Sequence, residues 1–349
     1  MKKISFLLSF LFFLSFNINL NAEEKSEENN EEFNISEMIM EHIGDAHEWH
    51  ILEYKNSEGE NVGISLPLPI ILIHNGQFDV FLSSKFEHGH KDVVKGKNTY
   101  RIEHDKIYAV GENGELIKPL DFSITKNVFS MLLVSIIILW VFISVANSYK
   151  KRPGRPKGLQ SFIEPVILFV KDDILRPSLE EKTDKFAPFL LTLFFFLLFN
   201  NMMGIIPFFP GNANVTGNIA VTMTLALFTF IMINVNGSKD YWKHTFWMPG
   251  VPVFVKPVLA IVELIGMIVK PVALTIRLFA NITAGHIIIL SLVGLIFLFK
   301  SIWVSPASIL MVTFMSCLEL LVAFLQAYIF TLLSALFIGM AIKTEEHHH

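Results

Sequence analysis

The sequence has 349 residues, of which 52% are hydrophobic and only 17% are charged. An ordinary soluble domain carries about 25% charged residues, so most of this chain is expected to have lipid as its solvent. The net charge of −4 provides no basic surface for nucleic acid. The single cysteine excludes an intrachain disulfide framework and any multi-cysteine metal or iron–sulfur site, and we expect no cofactor.

The first 22 residues have the pattern of an export signal. Lys2 and Lys3 form a charged start, residues 4–16 are apolar, and the stretch ends in small and polar residues at Ala22. The apolar core is short for a membrane span, so a signal peptide over residues 1–22, cleaved after Ala22, is favoured over an anchor. The mature chain is then expected to begin outside the cytoplasm.

Residues 23–126 form a polar segment without a long apolar run. An acidic start is followed by a helical pattern around residues 35–50. The pair Asn75-Gly76 separates PIILIH from QFDVFL, which predicts a hairpin, and Asn113-Gly114 marks a second turn. We expect a small extracytoplasmic domain of partly β character, and the sequence does not indicate its role.

Seven histidines in this segment raise the question of a metal site. The string DAHEWH lacks the His-Glu-x-x-His spacing that places two imidazoles on one helical face, so surface or packing histidines are favoured. The seven are His42, His47, His50, His74, His88, His90 and His104.

The first predicted membrane span covers residues 128–147, an uncharged run long enough to cross about 30 Å of hydrocarbon. A basic cluster follows it directly, which marks a cytoplasmic loop and makes this span run from outside to inside. The cluster consists of Lys150, Lys151, Arg152, Arg155 and Lys157.

Residues 161–185 mix apolar and acidic side chains and are expected to lie along the inner membrane surface. The run from 186 to 238 contains no charge and is too long for one helix, and PFFPGNANVTGN at residues 207–218 breaks it. We therefore predict two spans, about 187–206 and 218–235, joined outside the cell.

The C-terminal third begins with a regular spacing of charges. Lys256, Glu263, Lys270 and Arg277 follow one another at intervals of seven residues. They trace one polar stripe if a helix continues through Pro271.

Two long helices complete the predicted fold. Residues 255–270 are expected near the inner surface and lead into a long, tilted span to about residue 299, and residues 307–342 form a second long helix. The prediction is an all-α polytopic membrane protein of about five transmembrane helices. Its membrane domain covers residues 127–343, and residues 344–349 form a cytoplasmic tail.

The candidate site lies in these last two helices. Arg277 is the only permanently charged residue between Pro271 and Phe299, and a charge at the bilayer centre costs about 2.5–3.5 kcal/mol on insertion scales. His286 lies nine residues further, about half a turn round, so the two side chains are expected to face different neighbours. Glu319 on the last helix could complete a proton relay with His286.

Amide and small residues extend this constellation. Asn281 lies one turn from Arg277, and Gln326 lies two turns from Glu319 on the same face. Ala273, Ala280 and Ala284 have the spacing that lets another helix approach the Arg277 face closely. A static bundle, with Arg277 as counter-ion to Glu319 or Glu263 paired with Lys270, is the structural alternative to an ion path.

These residues carry a resemblance to a known family. KPVALTIRLFANITAGH followed by ELLVAFLQAYIF resembles subunit a, the membrane stator subunit of F-type ATP synthase. The most specific part is Arg-Leu-Phe-x-Asn-x-x-Ala-Gly at residues 277–285, followed by the Glu-x6-Gln pair of Glu319 and Gln326. In many bacterial members the histidine and the carboxylate stand the other way round from His286 and Glu319, which suggests that the two work as a unit.

The resemblance implies a proton path against a rotating ring of c subunits, each with one membrane-buried carboxylate. Arg277 would stand between two aqueous half-channels, with Gln326 and Asn281 beside it. His286, Glu319 and Asn201 would belong to the outer half-channel, and Glu263 to the inner one. The implied protein is a non-catalytic subunit of a bacterial inner-membrane complex, with the c ring, the b subunits of the peripheral stalk, the rest of the synthase, lipid and protons as partners.

Two other classes of protein were weighed. A stand-alone ion-coupled secondary transporter with an Arg–Glu–His site would be expected to show internal repeats, and the sequence contains none. A membrane-embedded enzyme lacks support because His-Glu-x-x-His, Gly-x-Ser-x-Gly and paired-Asp motifs are missing from the sequence. The coupling ion, proton or sodium, stays open because ion selectivity in this family resides mainly in the c ring.

Overall fold

The computed structural model describes residue 39 and residues 44–55, 61–87, 89, 91–103, 106–111, 114–151, 157–206, 209–211, 213–299 and 305–343. Five of the seven histidines of the N-terminal segment (positions 42, 88, 90 and 104, and position 50 for its side chain) lie outside the described residues. The predicted signal peptide, the basic positions 152 and 155 and the tail at 344–349 lie outside them as well.

The segment before the first span is built from short antiparallel strands. The strands are β1 Glu48–Lys55, β2 Asn61–Pro67, β3 Pro69–His74, β4 Gln77–Leu82, β5 Val93–Lys95, β6 Asn98–Glu103, β7 Lys106–Val110, β8 Leu116–Ile117 and β9 Leu120–Asp121. They form a β1–β2 pair, a three-stranded sheet in the order β4-β3-β9 and a four-stranded sheet in the order β5-β6-β7-β8. The partly β character predicted for this segment is therefore present in the described residues.

The Asn-Gly pairs act as predicted. β3 and β4 form a hairpin in which His74 pairs with Gln77, and Asn75 and Gly76 both have positive φ, 49° and 75°. Two consecutive residues with positive φ make the turn whose twist matches that of the strands. At the second turn, between β7 and β8, Gly114 has φ of 77°, whereas position 113 is outside the described residues.

The helical pattern predicted for residues 35–50 is wrong at its C-terminal end. Residues 48–50 belong to β1, where Glu48 pairs with Pro67 and Trp49 pairs with Leu66. The partner strand decides the conformation, because backbone pairing and packing against a neighbour override a local helical pattern.

The core of this domain lies between the two larger sheets. It contains Ile70, Leu72, Phe81, Phe86 and Tyr100, all of them buried. The Tyr100 hydroxyl donates to the buried Asp79 carboxylate at 2.8 Å. Burial, together with this carboxylate, raises the pKa of Tyr100 to about 12.

From Lys126 onward the described chain is mostly helical. They are α1 Lys126–Lys151, α2 Leu159–Phe169, α3 Arg176–Leu179, α4 Thr183–Ile205, α5 Ile219–Val235, α6 Lys239–Phe246, α7 Lys256–Phe299 and α8 Ser305–Ile342, with a π-helical turn Val170–Leu175 and a 3-10 turn Glu180–Lys182 joining α2, α3 and α4.

Four helical stretches are long and apolar enough to cross a membrane, and the described residues give five if the bent pair α5 and α6 counts as one span. The four are Lys126–Lys150, Leu159–Ile205, Lys256–Ile296 and Ser305–Ile342. This agrees with a mostly helical, polytopic membrane protein. The axis bends by 102° between α5 and α6.

The last two helices are as long as the sequence predicts. α7 has 44 residues and continues through Pro271 without a break, and α8 has 38 residues. At 1.5 Å per residue they measure about 66 Å and 57 Å, which is roughly twice the hydrocarbon thickness. The charges spaced by seven residues therefore share one continuous helix.

The mixed-charge segment 161–185 is helical and packs into the main core. Ile174 and Leu175 are fully buried. Gly339 of α8 lies directly against this segment, because a Cβ there would stand 2.1 Å from the Ser178 carbonyl oxygen. α4 runs through the centre of the same core and buries Leu190 and Phe194 among others.

Candidate functional site

The middle of α7 presents Arg277 on a face that the described chain does not cover. Leu274, Leu278 and Ile282 follow one another at intervals of four and are buried against the bundle. The opposite face is exposed and consists mostly of small residues around the arginine. It comprises Ala273, Ile276, Arg277, Ala280, Asn281 and Ala284.

Arg277 has no ion-pair partner among the described residues. The static alternative, in which Arg277 is the counter-ion to Glu319, is therefore not the arrangement that the structure contains. A cation on an exposed helix face that includes Ala273, Ala280 and Ala284 is available to a group brought by another helix, since small side chains permit close approach.

Gln326 of α8 fixes the backbone beside the arginine. Its side-chain Nε2 donates to the Arg277 carbonyl oxygen at 3.2 Å, and the Gln326 side chain is buried. The sequence placed Gln326 near Arg277 by resemblance, but a contact through a main-chain carbonyl has no signal in residue types. Asn281 lies one turn further along α7 on the exposed face.

His286 and Glu319 meet across the interface of α7 and α8. The His286 Nδ1 lies 3.7 Å from the Glu319 Oε1, and the two side chains are 17% and 6% exposed. The absence of a side chain at Gly285 makes room for the carboxylate, because a Cβ there would stand 3.0 Å from the same Oε1. As the nine-residue spacing predicts, His286 faces a different environment from the Arg277 side chain.

Asn201 of α4 lies next to this pair. Its Nδ2 donates to the Ala323 carbonyl oxygen at 3.2 Å, one turn along α8 from Glu319, and its Oδ1 accepts from the Thr216 hydroxyl at 2.7 Å. A Cβ at Gly204 would lie 3.9 Å from the His286 Nε2. α4, α7 and α8 thus bring Asn201, His286 and Glu319 into one neighbourhood.

Thr216 is a member of this neighbourhood that the sequence reasoning did not single out. It lies in the loop between α4 and α5 and is buried. Its position in PFFPGNANVTGN, a polar interruption between two apolar runs, was the available signal.

Glu263 does not join the other site residues. It lies 14 residues before Arg277 on α7, which corresponds to about 21 Å along the helix axis. The structure contains no ion pair between Glu263 and Lys270 among the described residues. The Lys270 Nζ instead lies 5.2 Å from the centre of the Phe337 ring.

Comparison with known proteins identifies the helical part of the chain. The sequence model of a family described as ATP synthase A chain matches residues 128–339. A second family, described as a domain of unknown function (DUF8433), matches residues 38–122.

Relatives named ATP synthase subunit a align over most of their length. The chain is 44% identical to the protein of Chloroherpeton thalassium over 241 residues, which cover 65% of this chain and 69% of the relative. It is 41% identical to that of Chlorobium phaeobacteroides (strain DSM 266) over 269 residues, covering 71% and 75%. It is 37% identical to that of Anaeromyxobacter dehalogenans over 308 residues, covering 85% and 77%. On these matches the chain belongs to the ATP synthase subunit a family.

Proposed function

We propose that this chain is the membrane stator subunit of an F-type ATP synthase, in which it guides protons to and from the rotating c ring. The observation that carries the proposal is Arg277. It is a fixed cation on an exposed face of small residues, in a chain of the subunit a family. The chain itself catalyses no reaction in this proposal, and nothing observed favours the alternative of a stand-alone transporter.

The exposed face of α7 is the proposed contact with the ring. Ala273, Ala280 and Ala284 leave room for a ring helix to bring its carboxylate close to Arg277. A nearby cation favours the ionised form of a carboxylate, so a ring carboxylate gives up its proton as it passes the arginine. The same charge opposes direct passage of protons between the two half-channels.

His286, Glu319 and Asn201 form the proposed outer half-channel. The 3.7 Å between His286 Nδ1 and Glu319 Oε1 is longer than a hydrogen bond. A small side-chain movement or one bridging water brings the two within reach of proton transfer. Asn201 holds α4 against α8 at this level through Ala323.

Glu263 is the proposed inner half-channel group, and Gln326 and Asn281 are the proposed neighbours of the arginine. Gln326 has a positioning role, since its bond to the Arg277 carbonyl fixes the rotation of α7 about its axis relative to α8. The distance of about 21 Å between Glu263 and Arg277 keeps the inner group away from the outer pair.

The proposed topology places the N-terminal domain outside the cytoplasm of a bacterial cell and the C-terminus inside. Residues 1–22 are the proposed signal peptide, residues 23–126 the periplasmic domain, residues 127–343 the membrane domain and residues 344–349 the cytoplasmic tail. Lys150 and Lys151 end α1 and Lys157 follows it, which supports this orientation. The c ring, the b subunits and the other synthase subunits are the proposed partners in the membrane.

Two measurements test the assignment to the complex. In mild detergent the chain should co-purify with a multi-subunit ATPase, whereas a transporter would purify without one. In a Cys317→Ser background, Ala280→Cys should form a disulfide with a cysteine next to the ring carboxylate. The matched control is Leu132→Cys, which is also exposed but lies on α1, and it should not form this disulfide. Purification without the ATPase, or equal cross-linking of both cysteines, contradicts the proposal.

A further inference from the structure

The N-terminal domain inserts its largest fully buried side chain into the membrane domain instead of its own core. Trp49 of β1 is 1% exposed. It packs in a cluster with Ala213 and Val215 of the α4–α5 loop (residues 213–218). The Trp49 ring lies 5.7 Å from the ring of Phe129 at the start of α1, in edge-to-face geometry.

Hydrogen bonds of Asp45 join the same part of the domain to the membrane domain. The Asp45 carboxylate accepts hydrogen bonds from the Thr125 hydroxyl at 3.0 Å and from the Asn127 backbone N–H at 3.1 Å. The Asn218 side chain also donates to Asp45, at 3.4 Å. Asn218 is the N-cap of α5. Residues 45–49 therefore contact the beginnings of both α1 and α5.

The α4–α5 loop also contacts the residues next to the His286–Glu319 pair. Thr216 donates to Asn201, which in turn donates to α8 one turn from Glu319. A Cβ at Gly204 would lie 3.2 Å from the Ala213 carbonyl oxygen and 3.9 Å from the His286 Nε2. Two short series of contacts thus lead from the Trp49 cluster towards the pair: one passes Gly204 next to His286, and the other reaches Ala323, one turn from Glu319.

The loop also buries a polar group beside these contacts. The Asn214 side chain is 5% exposed, and both ends of its amide are without a hydrogen-bond partner among the described residues. Buried amides are normally hydrogen-bonded to protein or to ordered water. We therefore expect ordered water beside Asn214.

We propose that the N-terminal domain, the part of the chain that matches a domain of unknown function, holds the α4–α5 loop in place over the outer half-channel, with Trp49 as a positioning residue for proton entry to His286 and Glu319. This inference rests on the proposed function. It assigns the domain a role that depends on contact with the loop, and it predicts that Trp49 affects the proton rate without touching the proton-carrying groups.

The test measures passive proton conductance per assembled complex in vesicles stripped of the catalytic head. Trp49→Ala should lower this conductance about tenfold. This corresponds to a displacement of about 0.5 Å, if about 1 Å of misplacement at a reacting centre costs 10²-fold. Trp49→Phe, which keeps an aromatic ring in the cluster, should recover most of the rate. Phe78→Ala is the matched control, because Phe78 is an aromatic residue of the same domain that is 66% exposed, and it should conduct like the parent.

A second variant tests the same loop without removing a large side chain. Thr216→Val deletes the hydroxyl that holds Asn201 and should also slow conduction. The double variant Trp49→Ala with Thr216→Val should be no slower than the slower single variant, because both changes release one loop. If Trp49→Ala does not assemble, Trp49→Leu replaces it in both the single and the double variant, and the same criterion of non-additivity applies.

Several results overturn the inference. Parental conductance in both Trp49→Ala and Thr216→Val would show that the loop does not position the site. Faster conductance in Trp49→Ala would show that the domain only restricts access of protons to the site. Independent, multiplicative effects would also contradict a shared loop. Arg277→Ala separates the two proposals: loss of pumping in that variant together with a normal Trp49→Ala leaves the proposed function standing and refutes only the role of the domain.

Discussion

Replacement of Gly285 by alanine perturbs the histidine–carboxylate pair without removing any of its atoms. A Cβ at this position would stand 3.0 Å from Glu319 Oε1 and 3.4 Å from its Cδ. Ordinary van der Waals contact begins at 3.4 Å. The Oε1 at 3.0 Å must therefore move away by about 0.4 Å. If about 1 Å of misplacement costs 10²-fold in rate, this shift corresponds to a fall of about sixfold.

Gly266 supplies the matched control on the same helix. A Cβ there would meet no heavy atom within 4 Å. Both substitutions gain about 0.5–1 kcal/mol of helix propensity, so neither is expected to impair folding of α7 through its backbone. The assay is passive proton conductance of head-stripped vesicles, normalised to assembled complex. Gly285→Ala should conduct about sixfold more slowly and Gly266→Ala like the parent. Equal rates in the two variants would refute the packing of Glu319 against Gly285.

Three further predictions concern the pair, the topology and the N-terminal domain. Removal of His286 or Glu319 alone should slow passive conductance, whereas the exchanged variant His286→Glu with Glu319→His should recover much of the rate; an exchanged variant no faster than the slower single variant would show that the two do not act together. Protease added to intact spheroplasts should cleave residues 23–126, and full protection would reverse the proposed topology. Burial alone would raise the pKa of Asp121, but hydrogen bonds from His47 and Ser123 outweigh it and hold that pKa at about 2. Ionised Asp121 should therefore stabilise the domain above about pH 4, and this stabilisation should be lost between pH 4 and pH 2. Because the group is partly exposed, its contribution should be about 1–2 kcal/mol.

The Asp121 prediction is checked by denaturant unfolding of the purified full-length chain at pH 6, 4 and 3. Asp121→Asn should have a lower unfolding midpoint than the parent at pH 6 and approach it as the pH falls, because Asp121 of the unfolded parent takes up a proton at a higher pH than Asp121 of the folded parent. A gap between the two proteins that stays constant from pH 6 to pH 3 would contradict this linkage.

The membrane architecture could be predicted from the sequence because an apolar span is recognisable from its own residues, without knowledge of its contacts. α7 and α8 were recognisable from long apolar runs, and the charge spacing of seven predicted one polar stripe on the condition that a helix continues through Pro271, which it does. The hairpin at Asn75-Gly76 was also predictable, since the turn depends on two residues that tolerate positive φ.

Features that depend on contacts between distant elements could not be predicted in this way. Residues 48–50 follow a helical pattern locally but pair with β2. No sequence pattern singles out Trp49, and only the fold shows that it packs on Ala213 and Val215. The bond from Gln326 to the Arg277 carbonyl is equally invisible, because every residue has such a carbonyl and the fold decides which one is reached.

The most direct test of the central claim compares pumping with leakage in the Arg277→Ala variant. Arg277 is proposed to release the ring proton and to separate the two half-channels. ATP-driven proton pumping by inverted vesicles should therefore be abolished while the complex still assembles, and head-stripped vesicles should still conduct protons at no less than the parental rate. Ile276→Ala, at an exposed neighbour on the same face, should pump normally. Normal pumping by assembled Arg277→Ala complexes would contradict the account.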